Sequence, residues 1–183
     1  MSLRSLTEED LPFVRAWRNA PEVRQNMYSR HEISEAEHRT WFHRMEQDPQ
    51  ALWFIHEDEA GQADGVVYFT QYRPSNGSAF WGFYAGTGAK PGVGVIMEFD
   101  ALELAFSELG LHKLNCEVLV SNTQVVNLHQ KCGFSQEGLF RDFHFDGEHY
   151  VDVVRLGILA SEWAARREGI QARIARLAVG ARG

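Results

Sequence analysis

The chain has 183 residues, 44% of them hydrophobic and 23% charged, which is enough apolar content for a full core in one domain spanning 1–183. A formal net charge of −7 argues against nucleic acid as a partner, and no stretch approaches the ~18 consecutive apolar residues of a membrane span. The first residues run into charge without an apolar core, so no signal peptide is expected; Cys116 and Cys132 suit buried free thiols in a reducing, cytoplasmic setting.

Leu3 to Leu6 reads as a short strand. Thr7-Glu-Glu-Asp10 starts a helix, with Thr7 able to accept from a backbone N–H and the acids facing the positive end. That helix buries Leu11, Val14 and Trp17, and Pro21 opens a further turn through Val23, Arg24 and Met27. Ser34-Glu-Ala-Glu37 repeats the capping pattern, and the helix behind it carries His38, Trp41, Phe42 and Met45 until Asp48-Pro49 stops it. Residues 51–56, 64–72 and 79–84 alternate as strands between polar turns, an antiparallel meander.

The meander delivers the chain into Lys90-Pro-Gly-Val-Gly-Val95. Gly92 and Gly94 expose backbone N–H groups with no Cβ beside them, and the helix that follows has no acid before Glu98. A carboxylate-free, glycine-rich helix start suits a bound phosphate, with Lys90 adding a charge; a plain turn feeding a core helix is the other reading. Val95, Phe99, Leu102, Phe106 and Leu109 recur at helical spacing up to Gly110. Residues 114–120 form a strand, Ser121-Asn122 opens a short helix ending Leu128-His-Gln-Lys-Cys-Gly-Phe134, and Asp146-Gly147 joins two further strands. A tail helix over 159–178 places Trp163, Ile170, Ile174 and Leu177 on one side, with its arginines on a solvated face. The sum is an α+β arrangement: a meander, a crossover helix, a parallel strand, a helix and a closing hairpin.

The order strand, glycine loop, helix, strand, then N-x-x-V-V-x-L-H-x-K-x-G-F resembles the GNAT family of N-acetyltransferases over residues 64 to 157. Two departures stand out: Ala89 occupies the loop position usually held by Gln or Arg, and His129 replaces a tyrosine. The resemblance implies the GNAT fold, a mostly antiparallel mixed sheet flanked by helices, and acetyl-CoA as co-substrate with no metal. It implies that residues 79–134 hold acetyl-CoA: Phe83, Tyr84 and Ala85 along its pantetheine arm, Lys90, Gly92, Val93, Gly94 and Val95 around the pyrophosphate, and Asn122, Asn127 and Lys131 nearby. Asn122 is equally a good N-cap. His129 stands where the family's tyrosine protonates the departing thiolate, which an imidazolium can also do; a histidine packed at a helix end is the alternative. No histidine spacing implies zinc, and Glu117 is the one candidate for a general base.

The helices of 7–47 would select the acceptor. Trp17-Arg-Asn19, Arg24, Met27, His38 and Trp41-Phe42 look like acetyltransferases that modify the 4-amino group of UDP-linked 4-amino-4,6-dideoxy sugars. The acceptor implied is of the UDP-4-amino-4,6-dideoxy-N-acetyl-β-L-altrosamine type, used in pseudaminic acid biosynthesis for flagellin glycosylation. Arg18, Arg24 and His38 could then meet the diphosphate, Thr70 could donate to it, and Met27, Trp41, Phe80 and Tyr84 could supply apolar surface. A small-molecule partner is expected, and a homodimer is compatible with it. Two other readings remain, a ribosomal-protein N-terminal acetyltransferase and a non-catalytic acyl-CoA-binding module.

Overall fold

In the computed structural model, backbone is described for residues 2–180 and side chains to residue 176. One seven-stranded sheet forms the frame: β1 (Leu3–Ser5), β2 (Leu52–Glu57), β3 (Ala63–Arg73), β4 (Ser78–Ala85), β5 (Lys113–Leu119), β6 (Ser135–Phe145) and β7 (Tyr150–Leu159). Their order is β1-β2-β3-β4-β5-β7-β6, and β4 with β5 is the parallel pair in an otherwise antiparallel sheet. The expected meander, crossover and closing hairpin are all present. The hairpin folds so that its second strand, β7, lies against β5 and leaves β6 at the edge.

The two sheet faces carry separate cores, because alternate strand residues point to opposite sides. On one side α1 (Leu11–Asn19), α2 (Pro21–Arg24) and α3 (Glu35–Glu46) pack Val14 and Phe42 with Ile55, Val66 and Tyr84. On the other, α4 (Val93–Glu103), α5 (Thr123–Cys132) and α6 (Ala160–Gly180) enclose Val67, Phe69, Met97, Leu102, Leu114, Leu156 and Trp163.

Thr7 opens the first helix as expected, in a reciprocal capping box: its side chain meets the Asp10 backbone N–H, and its own N–H donates to the Asp10 carboxylate at 2.9 Å, which Arg4 also grips. One local expectation is corrected. The expected stripe of α4 is not its deepest face. Met97, Glu98, Ala101, Leu102 and Ala105 are the buried ones, while Phe99 is half-buried with its ring against Trp163. The cause is that α4 is sandwiched between the sheet and α6, so it is apolar almost all round. The helix then widens into a π turn over Leu104–Glu108, closed by a Leu109 N–H to Leu104 O bond, and Gly110 at φ +62° ends it as expected. Trp163 and Ile170 of α6 face the core, and the Leu177 side chain lies outside the described residues.

Candidate active site

The site begins where two parallel strands part. β4 and β5 pair only through Ser78, Ala79 and Phe80 opposite Lys113, Leu114 and Asn115. Beyond that register they diverge, and a cavity of about 440 Å³ opens between Trp81–Ala85 and Cys116–Val118. The β5-facing backbone groups of β4 are therefore without ladder partners, an arrangement that accepts an extended amide-bearing chain as a further strand. Phe83, Tyr84, Ala85, Val93 and Asn122 line this cavity, as does His129. Asn122 serves its other expected role too, since its side chain accepts from Val125 N–H at 3.4 Å and caps α5.

At the mouth, Gly92 sits at φ +90° as the N-cap of α4, a conformation open to glycine and few other residues. Val93 N–H donates to Lys90 O and Val95 N–H to Gly92 O, both at 3.1 Å, which leaves Gly94 N–H the open donor of the three. Gly94 also has a packing reason: a Cβ there would stand 3.3 Å from Leu128 Cδ2, so its absence lets α5 cross α4 closely. The remaining expected cofactor residues lie outside the cavity lining. Lys90 is exposed and its ammonium is 3.0 Å from Asp58, which raises its pKa. Val95 is in the core, Asn127 is exposed, and Lys131 borders a separate cleft with Arg166 and Arg173.

His129 is 2% exposed and is held by an acid, not by the backbone carbonyl that a merely packed histidine would use. Its Nδ1 is 2.9 Å from Oε1 of Glu98, a carboxylate with no exposure at all. Burial alone would lower the imidazole pKa, but Glu98, with Cys116 beside it, outweighs that and holds it at about 10. Trp81, Phe83 and Phe134 wall the ring on its remaining sides. Glu117, the candidate base, has both oxygens engaged: Oε1 accepts from Arg155 at 3.0 Å and Oε2 from the Tyr28 hydroxyl at 2.9 Å. It tethers the segment after α2 to the sheet. Arg30, paired with Asp146 at 3.0 Å, does the same from the hairpin tip.

That tethered segment separates the first cavity from a second, about 760 Å³, on the α1–α3 side. Met27, Tyr68 and Tyr84 line both, so the cavities meet there. Tyr68 lies across Gly82, where a Cβ would sit 2.3 Å from its hydroxyl oxygen. Arg18 lines the second cavity. Its Nη2 donates to Ser29 O at 2.8 Å, while its Nη1 is buried with no hydrogen-bond partner among the described residues. It forms no ion pair with Asp10, which Arg4 occupies. His38, buried and stacked on Trp41, has its pKa lowered by burial and by Arg15 and Arg18, so it enters the site as a neutral donor. Arg24 has a buried unpartnered Nε beside this region but lines neither cavity. Thr70 and Phe80 also lie outside both linings, and Phe80 carries the Arg155 guanidinium on its ring at 4.1 Å.

A parted parallel pair, a glycine-capped helix and a cavity ending on a buried imidazole suit an acyl-CoA, and residues 1–135 match the family model described as "Acetyltransferase (GNAT) domain". The chain belongs to the GNAT acetyltransferases. It is 29% identical to the spermidine N(1)-acetyltransferase of Vibrio cholerae, an alignment covering 92% of this chain and 98% of that one. It is 28% identical to the acetyltransferase PseH of Campylobacter jejuni, over 79% of this chain and 90% of that one. The crystal structure of the Vibrio cholerae spermidine N-acetyltransferase in complex with CoA and spermine superposes with a TM-score of 0.82 at 27% identity, covering 88% of this chain and 96% of that chain.

The protein is thus an acetyl-CoA-dependent N-acetyltransferase with a GNAT fold. Among the described residues, no group of three His, Cys, Asp or Glu side chains is placed to hold a metal ion, and no helix is long and apolar enough to cross a membrane. Sequence reasoning missed Glu98, Tyr28 and Tyr68 at this GNAT site. Tyr68 was readable, since it shares a strand face with Val66 and Thr70, whereas the Tyr28 and Glu117 pairing joins residues far apart in the chain.

Proposed function

We propose that this GNAT enzyme acetylates the 4-amino group of a UDP-linked 4-amino-4,6-dideoxy sugar, of the kind used in pseudaminic acid biosynthesis for flagellin glycosylation. The observation that carries the reading is the buried, unpartnered Nη1 of Arg18 in the wall of the second cavity. An unsatisfied buried guanidinium N–H is costly unless a ligand completes it, and a diphosphate oxygen is a fitting acceptor. Arg44 adds charge, His38 a neutral donor, and Trp41, Trp53 and Tyr68 the flat apolar surface that a uracil ring and a sugar methyl require. A polyamine needs the opposite lining. Among the described residues Glu37 is the one carboxylate lining this cavity, and His31 already holds it at 2.7 Å. Similarity to PseH supports the same reading.

In the reaction the pantetheine arm adds to β4 along Phe83, Tyr84 and Ala85, and Gly94 N–H with the loop at Gly92 meets the pyrophosphate. Asn122 supports the chain from the α5 side. Lys90, Asn127 and Lys131, all exposed, are left for the outer phosphates. The neutral amine arrives from the second cavity at Met27, Tyr68 and Tyr84 and attacks the thioester carbonyl carbon. The C–S bond breaks, His129 gives its proton to the sulfur, and the nitrogen loses one through water. Supplying purified protein with acetyl-CoA and, in turn, a UDP-4-amino sugar, spermidine or a ribosomal-protein N-terminal peptide, and following free thiol, tests this. Turnover with the nucleotide sugar, with UDP competing against it, is expected. Preferential turnover of spermidine or peptide refutes the acceptor, and binding of acetyl-CoA without turnover of any amine points to a non-catalytic module.

A further inference from the structure

Glu98 is a carboxylate in the middle of an apolar helix, at 0% exposure, turned toward α5. Such a group is expensive to bury, and it persists where a partner of opposite charge is fixed beside it. Its Oε1 takes His129 Nδ1 at 2.9 Å, and its Oε2 has no hydrogen-bond partner among the described residues. His129 lines the β4–β5 cavity and Glu98 does not. With Nδ1 committed to Glu98, Nε2 is the nitrogen left for the cavity.

We propose that Glu98 is the positioning residue that makes His129 a proton donor: it fixes the ring, keeps the proton on Nδ1, and holds the imidazolium form whose Nε2–H goes to the thiolate. The inference rests on His129 being the general acid of the reading above. It explains how a histidine stands where the family commonly uses a tyrosine. A tyrosine keeps its proton to about pH 10 unaided; His129 reaches about 10 with Glu98 beside it. Of the other groups packed on the ring, Cys116 from β5 acts in the same direction as Glu98, Trp81, Phe83 and Phe134 are uncharged, and Cys132 from α5 has its own pKa raised by burial and by Glu98, so it stays a neutral thiol. In each turnover the proton leaving Nε2 forms the CoA thiol, and the ring regains one from solvent.

Glu98→Gln keeps the shape and removes the charge. In the variant, burial acts on His129 with Cys116 but no carboxylate to oppose it, so the alkaline limb of kcat should move down from near pH 10 toward the free imidazole value of about 6.5. At about pH 8 that is a loss of kcat of up to roughly thirtyfold, recovered largely near pH 6, with the KM for acetyl-CoA little changed. A loss of equal size at every pH, or an unmoved alkaline limb, overturns the proposal. The double variant Glu98→Gln/His129→Tyr provides the rescue test: a tyrosine needs no carboxylate, so its activity near pH 8 should exceed that of Glu98→Gln alone. Imidazole NMR of His129 in the two folded proteins reads the link without any turnover. A titration of His129 unmoved by Glu98→Gln overturns the positioning role. A shifted titration with a fully active His129→Phe enzyme instead removes the general-acid reading on which the proposal stands.

Discussion

Replacing Arg18 by Gln tests the acceptor assignment at the atom that carries it. In the folded protein the guanidinium makes one bond, Nη2 to Ser29 O at 2.8 Å, and leaves Nη1 buried and open. The segment it holds has two further anchors, Tyr28 to Glu117 and Arg30 to Asp146, so the wall of the cavity survives the change. What disappears is the charge-assisted contact to a diphosphate, about 1.5–3 kcal/mol, or roughly tenfold to a hundredfold in the KM of the nucleotide sugar. The contact is the same in ground and transition states, so kcat should change little and the KM for acetyl-CoA should hold. A cationic acceptor behaves oppositely, since deleting Arg18 removes a repulsion and should improve polyamine turnover. Steady-state kinetics of wild type and Arg18→Gln with a UDP-4-amino sugar and with spermidine separate the two. An unchanged nucleotide-sugar KM, or a gain confined to spermidine in an enzyme that already prefers it, defeats the reasoning.

Gly94→Asp should weaken acetyl-CoA binding by several kcal/mol, because it sets a negative charge at the open N–H of α4. Gly94→Ala is the necessary control, since Leu128 must give way by a few tenths of an ångström for either; equal calorimetric affinities for the two variants would discredit phosphate binding there. Tyr28→Phe removes the bond to Glu117 but leaves Arg155 on it, so acceptor KM should rise by about threefold to tenfold with thermal stability nearly unchanged. The stability curve should also carry the His129 pair. Its folded pKa lies above the unfolded one, so the contribution is complete below about pH 6.5 and is lost as pH rises through about 10. Urea melts near pH 6.5, 8.5 and 10.5 should decline across that window in wild type and flatten in Glu98→Gln.

The fold was legible because its signals are local. Turn residues punctuate the meander, Gly92 and Gly110 bracket the crossover helix, and Asp146-Gly147 marks the hairpin that the structure forms. Asn122 as a cap was readable for the same reason, whereas His129 at the cavity was implied by the family resemblance. Side-chain partners were not. Lys90 finds Asp58 across 32 positions, and Glu98 finds His129 across 31, from another helix. Periodicity says which face a residue occupies, and it carries no information on which distant residue shares that space. One trace of the Glu98 and His129 pair was present. A glutamate between Met97 and Phe99 in a helix apolar nearly all round needs an explanation, and burial against a cation is the usual one. Thr70 follows Tyr68 by two residues on the same strand face and lies outside both cavity linings, a difference of reach that alternation along a strand does not encode.

Overall likeness and acceptor chemistry are written in different parts of this molecule. The acetyl-CoA cleft is made largely of backbone: strands that part after Phe80 and Asn115, an open N–H at Gly94, a helix start without acids. Such features survive wide changes in side chains, which is why a relative at 27% identity superposes with a TM-score of 0.82 and relatives at 28–29% are acetyltransferases too. The second cavity, proposed to take the acceptor, is made of side chains from α1, α3, the segment between α2 and α3 and strands β2 to β4, and a few of them set its sign. Here Arg18 and Arg44 contribute charge, His38 is neutral, and Glu37 is bound to His31. A polyamine would have to bring several positive charges against that wall with one engaged carboxylate to receive them. A slightly higher identity to a spermidine enzyme than to PseH is spread over the whole chain and says nothing about those few positions. The charge of the lining is therefore the observation on which the proposed nucleotide-sugar acceptor rests.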